Sequence, residues 1–78
     1  MLTMDFLRKD GEWMNTAEKL IACREKAGMT RTQVAATVGV TDASVRGYEA
    51  GKRLPRDPVK RKLAELFGVS VQYLFFDQ

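Results

Sequence analysis

Histidine is absent from this 78-residue chain, and cysteine occurs once, as Cys23. Lacking histidine, the chain has no copy of the side chain that most often acts as general base or metal ligand near neutral pH. A single cysteine forms no internal disulfide, so a well-shaped apolar core has to hold the fold. Catalysis is therefore not expected, and no cofactor or metal is implied. No apolar run reaches the length that spans a bilayer, and the start carries no signal-peptide pattern. With the unpaired Cys23, those absences favour a reducing, cytoplasmic setting. A chain of this length forms one small domain and buries roughly 60% of its unfolded surface.

What is present is organised around Thr30 to Glu49, TRTQVAATVGVTDASVRGYE. Thr30 can cap a helix, and Gln33 three places on can return the bond as a capping box. Val34, Ala35 and Val38 follow at helical spacing, and Gly39 stops the helix. Val40 plugs the corner and Thr41 caps again. Val45, Tyr48 and Glu49 form the inward stripe of a second helix. Helix, glycine turn, helix is the helix-turn-helix pattern, whose second helix enters the DNA major groove.

On the N-terminal side, Asn15 with Glu18 makes another capping box. Ala17, Leu20, Ile21, Arg24 and Ala27 then share a face, with Cys23 beside it as a small core residue. Gly28 ends that helix. Arg24 is a charge on an inward stripe, and so is Glu49. The expected resolution is an ion pair between them, locking the first helix onto the groove helix; the alternative is that each reaches water separately. On the C-terminal side, Asp57 caps a helix with Pro58 at its first position. Val59, Leu63, Ala64 and Phe67 are its buried stripe, and Gly68 its stop. Ser70 caps a last short helix with Val71 and Leu74 inward. The expected fold is all-α, with five helices.

The formal charge is +3, from 13 Lys and Arg against 10 Asp and Glu. It is unevenly spread. Residues 52–62 carry Lys52, Arg53, Arg56, Lys60, Arg61 and Lys62 against Asp57 alone. Beside a recognition helix, such a run is the footprint of phosphate contacts; without a partner it is a solvated surface. Residues 1–13 follow no helical period and read as an extension to a domain over 14–78. Either they form a flexible arm, or Leu2, Phe6 and Trp13 tuck against the domain, or the natural start is Met14.

Taken together, these residues resemble the phage-repressor or Cro-type helix-turn-helix proteins, the XRE family. The match runs from Cys23-Arg24 and Gly28-Met29-Thr30 through Val34-Ala35, Val38-Gly39-Val40-Thr41 and Val45. It continues through Tyr48-Glu49-Ala50-Gly51, Pro55, Leu63-Ala64, Phe67-Gly68-Val69-Ser70 and Tyr73-Leu74. The resemblance implies a five-helix, lambda-repressor-like domain that binds operators as a dimer and mostly represses transcription. It also implies that the Arg24–Glu49 pair is a common feature of the fold.

Carried over by position, it puts Asp42, Ala43 and Gly47 at base edges. Arg31 and Ser44 approach phosphates, joined by Lys52, Arg53 and Arg56 from the following loop. Ala43 and Gly47 stand where family members often carry Gln, Ser, Arg or Lys, which shifts the reading load to Arg46 and Asp42. Arg46 either forks onto guanine or contacts a phosphate. Asp42 either accepts from a cytosine amine or complements the helix dipole.

The leading expectation is a sequence-specific repressor acting on double-stranded DNA as a homodimer. The chain shows no room for a ligand domain, so a small-molecule inducer is not expected and switching falls to a regulatory protein partner, concentration or operator arrangement. Tyr73, Phe75 and Phe76 are the candidate dimer contacts. In the alternative arrangement Phe75 folds back on Leu63 and Phe67 while Phe76 frays. A competing function for the same fold is an antitoxin-like subunit that masks a partner protein.

Overall fold

The computed structural model describes residues 14–76, and the readings made for residues 1–13 lie outside them. Five helical segments follow one another among the described residues. They are α1 (Thr16–Lys26), α2 (Arg31–Val38), α3 (Asp42–Glu49), α4 (Asp57–Phe67) and α5 (Gln72–Phe76), the last wound as a π-turn. α3 packs against α2 and α1, α4 against α2, and α1 against α5.

The boundaries follow local chemistry. Asn15 accepts from the Glu18 amide while the Glu18 side chain accepts from the Asn15 amide, both at 2.9 Å. Thr30 and Gln33 repeat that arrangement at α2, and Thr41 caps α3 through the Ser44 amide. Each exchange satisfies amides that a helix start leaves without partners. Gly39 closes α2 in the left-handed region, φ 78°, so that both its own amide and that of Val40 reach the Ala35 carbonyl. That closure turns the chain sharply enough to bring α3 against α2.

Two expectations about ends and faces are corrected. The N-cap of α4 is Arg56, not Asp57, and it makes no side-chain cap bond; Asp57 occupies the first helical position, where its charge suits the helix dipole. The buried face of α1 is Lys19, Leu20 and Cys23, whereas Ala27 is exposed and Ile21 half-buried. The stripe is rotated because Lys19 has work to do inside. Its Nζ donates to the Tyr73 carbonyl at 2.9 Å and lies 5.3 Å from the centre of the Tyr73 ring. Thr16 Oγ1 donates to the Leu74 carbonyl at 3.4 Å. α1 thus satisfies carbonyls that so short a terminal turn cannot pair for itself.

The core joins Leu20, Cys23, Val34, Ala35, Val38, Val45, Tyr48, Leu63, Leu74 and Phe75. Phe75 thus packs in the core of its own chain, as in the alternative arrangement, and shows little surface to a partner. Its neighbour Phe76 remains 59% exposed, and Tyr73 is half-buried.

Candidate nucleic-acid interface

α3 is fixed from within. Val45 and Tyr48 enter the core, and the Glu49 carboxylate is buried with them. One of its oxygens lies 2.7 Å from Arg24 Nε on α1 and the other 2.9 Å from Arg31 Nε on α2. Arg24 also donates from Nη1 to the Met29 carbonyl at 3.0 Å. One carboxylate therefore ties together α1, the α1–α2 turn, α2 and the end of α3. The desolvated charges are all paired, the condition under which buried ions are tolerated. The structure brings Arg24 and Glu49 together and adds Arg31, which the family pattern assigned to a phosphate. Arg31 engages Glu49 while its side chain stays 46% exposed, so it also faces solvent at the start of α2.

The opposite side of α3 has no such commitment to the core. Ala43, Arg46 and Ala50 are exposed, and Asp42 and Gly47 are partly covered. Asp42 accepts at both oxygens, from Arg46 at 2.7 Å and from Thr32 Oγ1 at 2.9 Å. The Arg46 bond first, and the Thr32 bond second, hold the Asp42 carboxyl below the ordinary aspartate value of 3.8. Asp42 is thus ionised and occupied at neutral pH, at the helix end whose dipole favours it. Arg46 gives Asp42 one Nη2 bond, so a fork onto guanine can use its remaining donors or exchange Asp42 for the base. An ion pair this open to water contributes little, so the exchange is inexpensive. Thr32, ten residues earlier on α2, had no local sequence signal linking it to Asp42.

Ser44 is buried, and its hydroxyl accepts from Thr41 Oγ1 at 3.0 Å and from Arg53 Nη1 at 3.2 Å. The expectation that Ser44 approaches a phosphate is corrected on that ground, since the oxygen is enclosed and engaged within the chain. Gly47 is partly covered by the Arg53 side chain. A Cβ built on Gly47 would stand 2.7 Å from Arg53 Cδ and 3.0 Å from its Cγ. Arg53 therefore lies along α3 instead of trailing away with its loop. Lys52 and Arg56 are exposed on that loop, as are Arg61 and Lys62 on α4. Lys60 turns aside: its Nζ lies 5.6 Å from the Phe75 ring centre and 5.0 Å from that of Phe76. The sequence-selected residues Asp42, Ala43, Arg46 and Gly47 share one helix, with Lys52, Arg53 and Arg56 following it closely in the chain.

No group of three or more His, Cys, Asp or Glu among the described residues is arranged to hold a metal ion. No helix among them is long and apolar enough to cross a membrane.

Among solved structures, the fold is similar to the P22 c2 repressor protein crystallised in complex with synthetic operator 9T. The TM-score is 0.79 at 20% identity, over 83% of this chain and 98% of that one. It is also similar to a transcriptional regulator from Listeria innocua, with a TM-score of 0.76 at 26% identity; the likeness spans 82% of this chain but 61% of the regulator. No curated protein matches at the sequence level. The sequence model of the helix-turn-helix family matches residues 20–74, from the middle of α1 into α5. With the all-helical, repressor-type fold around the α2–α3 corner, that match identifies the chain as a member of the XRE-type helix-turn-helix family of DNA-binding transcription regulators.

Proposed function

We propose that this protein is a sequence-specific repressor that places the outer face of α3 in the major groove of an operator and occludes a promoter. The observation that carries this reading is the division of α3. One side is locked by Glu49 to two arginines, while the other presents Ala43 and Arg46 to solvent with basic side chains close by. A rigid helix with a small-residue face fits closely into a groove. Ala43 offers apolar contact to a thymine methyl, and Arg46 offers a fork to guanine. Arg31, Lys52 and Arg56 supply phosphate contacts that fix the register. The P22 c2 repressor, which shares this fold and was crystallised with a synthetic operator, supports the reading by analogy.

One α3 reads only a few base pairs. Two copies about 34 Å apart on a near-palindromic site would extend the readout. Phe76, exposed on α5 beside Tyr73, is the apolar group around which a two-fold contact would form.

Selection of bound duplexes from a random pool tests the function. The expected product is an inverted repeat with half-sites one helical turn apart. Enrichment of no sequence, even at low salt, would overturn the reading. Sedimentation at rising concentration tests the assembly, with Phe76→Ser expected to leave folded monomers. A parent protein that stays monomeric and selects single half-sites would reject the dimer.

A further inference from the structure

We infer that Arg53, although it belongs to the loop after α3, is a base-reading residue delivered onto the groove face of α3 through the gap that Gly47 leaves. The inference rests on the reading of α3 as the DNA-reading helix and deepens it by naming a specificity-determining side chain.

Gly47 is the starting point. A glycine inside a helix weakens it, and so calls for a reason. Backbone conformation is not the reason. Gly28, Gly39, Gly51 and Gly68 have positive φ, but Gly47 does not. The reason is space. An alanine Cβ at 47 would stand 2.7 Å from Arg53 Cδ, 3.0 Å from Cγ and 3.3 Å from Cβ, so it would displace the whole stem. Two backbone bonds hold the loop down at this point, from the Lys52 and Arg53 amides to the Gly47 carbonyl at 3.0 and 3.2 Å.

The stem leads back along the helix. Arg53 Nη1 donates to Ser44 Oγ, one turn nearer the N-terminus of α3, and Ser44 is itself held by Thr41. In helix-turn-helix docking it is the N-terminal part of the second helix that meets base edges. A guanidinium carries five N–H donors in a fixed fork, so the bond to Ser44 leaves others for a guanine edge. Ala43 and Gly47 present almost no side chain to the groove, and Arg46 lies on the flank paired with Asp42. Arg53 fills the other flank. A loop residue thus supplies a polar side chain where the helix itself has none, at 47.

The test is selection from a random duplex pool with the full chain, comparing the parent with Arg53→Ala, Arg53→Lys, Gly47→Ala and the double variant Arg53→Ala with Gly47→Ala. Circular dichroism checks that each is folded. Arg53→Ala is expected to lose discrimination at one base pair of the consensus by about 5- to 150-fold, with the other positions kept. Arg53→Lys should not restore it, because a point charge cannot replace the fork. Gly47→Ala should blur the same base pair by displacing the arginine. Added to Arg53→Ala it should change the consensus no further, since both act through one side chain. An Arg53→Ala protein that weakens on all sequences alike, keeps the parent consensus and is rescued by lysine would overturn the inference and make Arg53 a phosphate contact. A parent that enriches no consensus would overturn the reading of α3 as well, so the two failures are distinguishable.

Discussion

The two faces of α3 hold a carboxylate against a guanidinium at the same distance and to opposite effect. On the inner face Glu49 meets Arg24 at 2.7 Å with side chains 5% and 12% exposed; on the outer face Asp42 meets Arg46 at 2.7 Å with 36% and 66% exposed. Distance does not separate the two pairs, but water does. The inner pair cannot lose one member without stranding a desolvated charge. The outer pair can exchange partners, because either group finds water when it leaves. The inner pair therefore fixes where α3 points, and the outer one leaves Arg46 able to change partners.

The largest effect should come from breaking the inner face. Glu49→Ala is expected to cost about 3–5 kcal/mol in denaturant unfolding, because Arg24 is left buried against an apolar neighbour. Arg31, whose side chain is about half exposed, can turn to water once Glu49 is gone. Glu25→Ala on the exposed side of α1 should change stability by no more than about 0.5 kcal/mol. The double change Arg24→Met with Glu49→Leu should recover part of the loss, since no buried charge is left alone. A Glu49→Ala protein that melts like the parent would remove the contrast.

The same inside-outside contrast recurs one residue apart in α5. Phe75→Ala should cost about 3–5 kcal/mol as a large-to-small change in the core. Phe76→Ala should fall within about 0.5 kcal/mol for the isolated chain. If Phe76→Ala lowers stability only at high protein concentration, its contribution comes from assembly, as mass action requires.

Much of this architecture was legible in the sequence because its signals are local. Asn15 with Glu18, Thr30 with Gln33, and Thr41 and Ser70 are caps whose partners lie three residues on. Val34, Ala35, Val38, Val45 and Tyr48 are core positions that periodicity locates. Arg24 and Glu49 stood out as two charges on inward stripes. What stayed hidden depends on tertiary approach. The burial of Lys19 has no local signal, because its partner, the Tyr73 carbonyl, comes from α5. Thr32 reaches Asp42 only after the α2–α3 turn closes. The role of Gly47 is visible only when Arg53 is seen lying across it. Whether Phe75 is a dimer contact or folds back on its own core is open in the sequence, because a core's capacity cannot be counted without its shape.

Smaller effects sharpen the account at the helix starts. Thr30→Ala removes a reciprocal cap and should cost about 0.5–2 kcal/mol. Arg56 also stands at an N-cap, but its side chain makes no cap bond, so Arg56→Ala should leave stability nearly unchanged while weakening DNA binding. Equal losses at the two positions would contradict the structural difference between them.

The smallest effect concerns the outer pair and pH. Because folding lowers the Asp42 pKa, its pairing stabilises the fold above the ordinary aspartate value of 3.8 and is lost as pH falls through the lower folded value. The stability difference between the parent and Asp42→Asn should therefore be level between about pH 7 and about pH 5, and shrink only in stronger acid. A difference that grows as pH falls would have the wrong sign.

We propose that the outer face of α3, held from within by Glu49, is where this protein meets DNA. The most direct test is to titrate the isotope-labelled protein with its selected duplex and follow the backbone amide spectrum. The account predicts that the shifts concentrate at Asp42 to Gly47, at Arg31 and in the loop from Lys52 to Arg56. Shifts confined to α1 and α5, with α3 unmoved at saturating duplex, would contradict it.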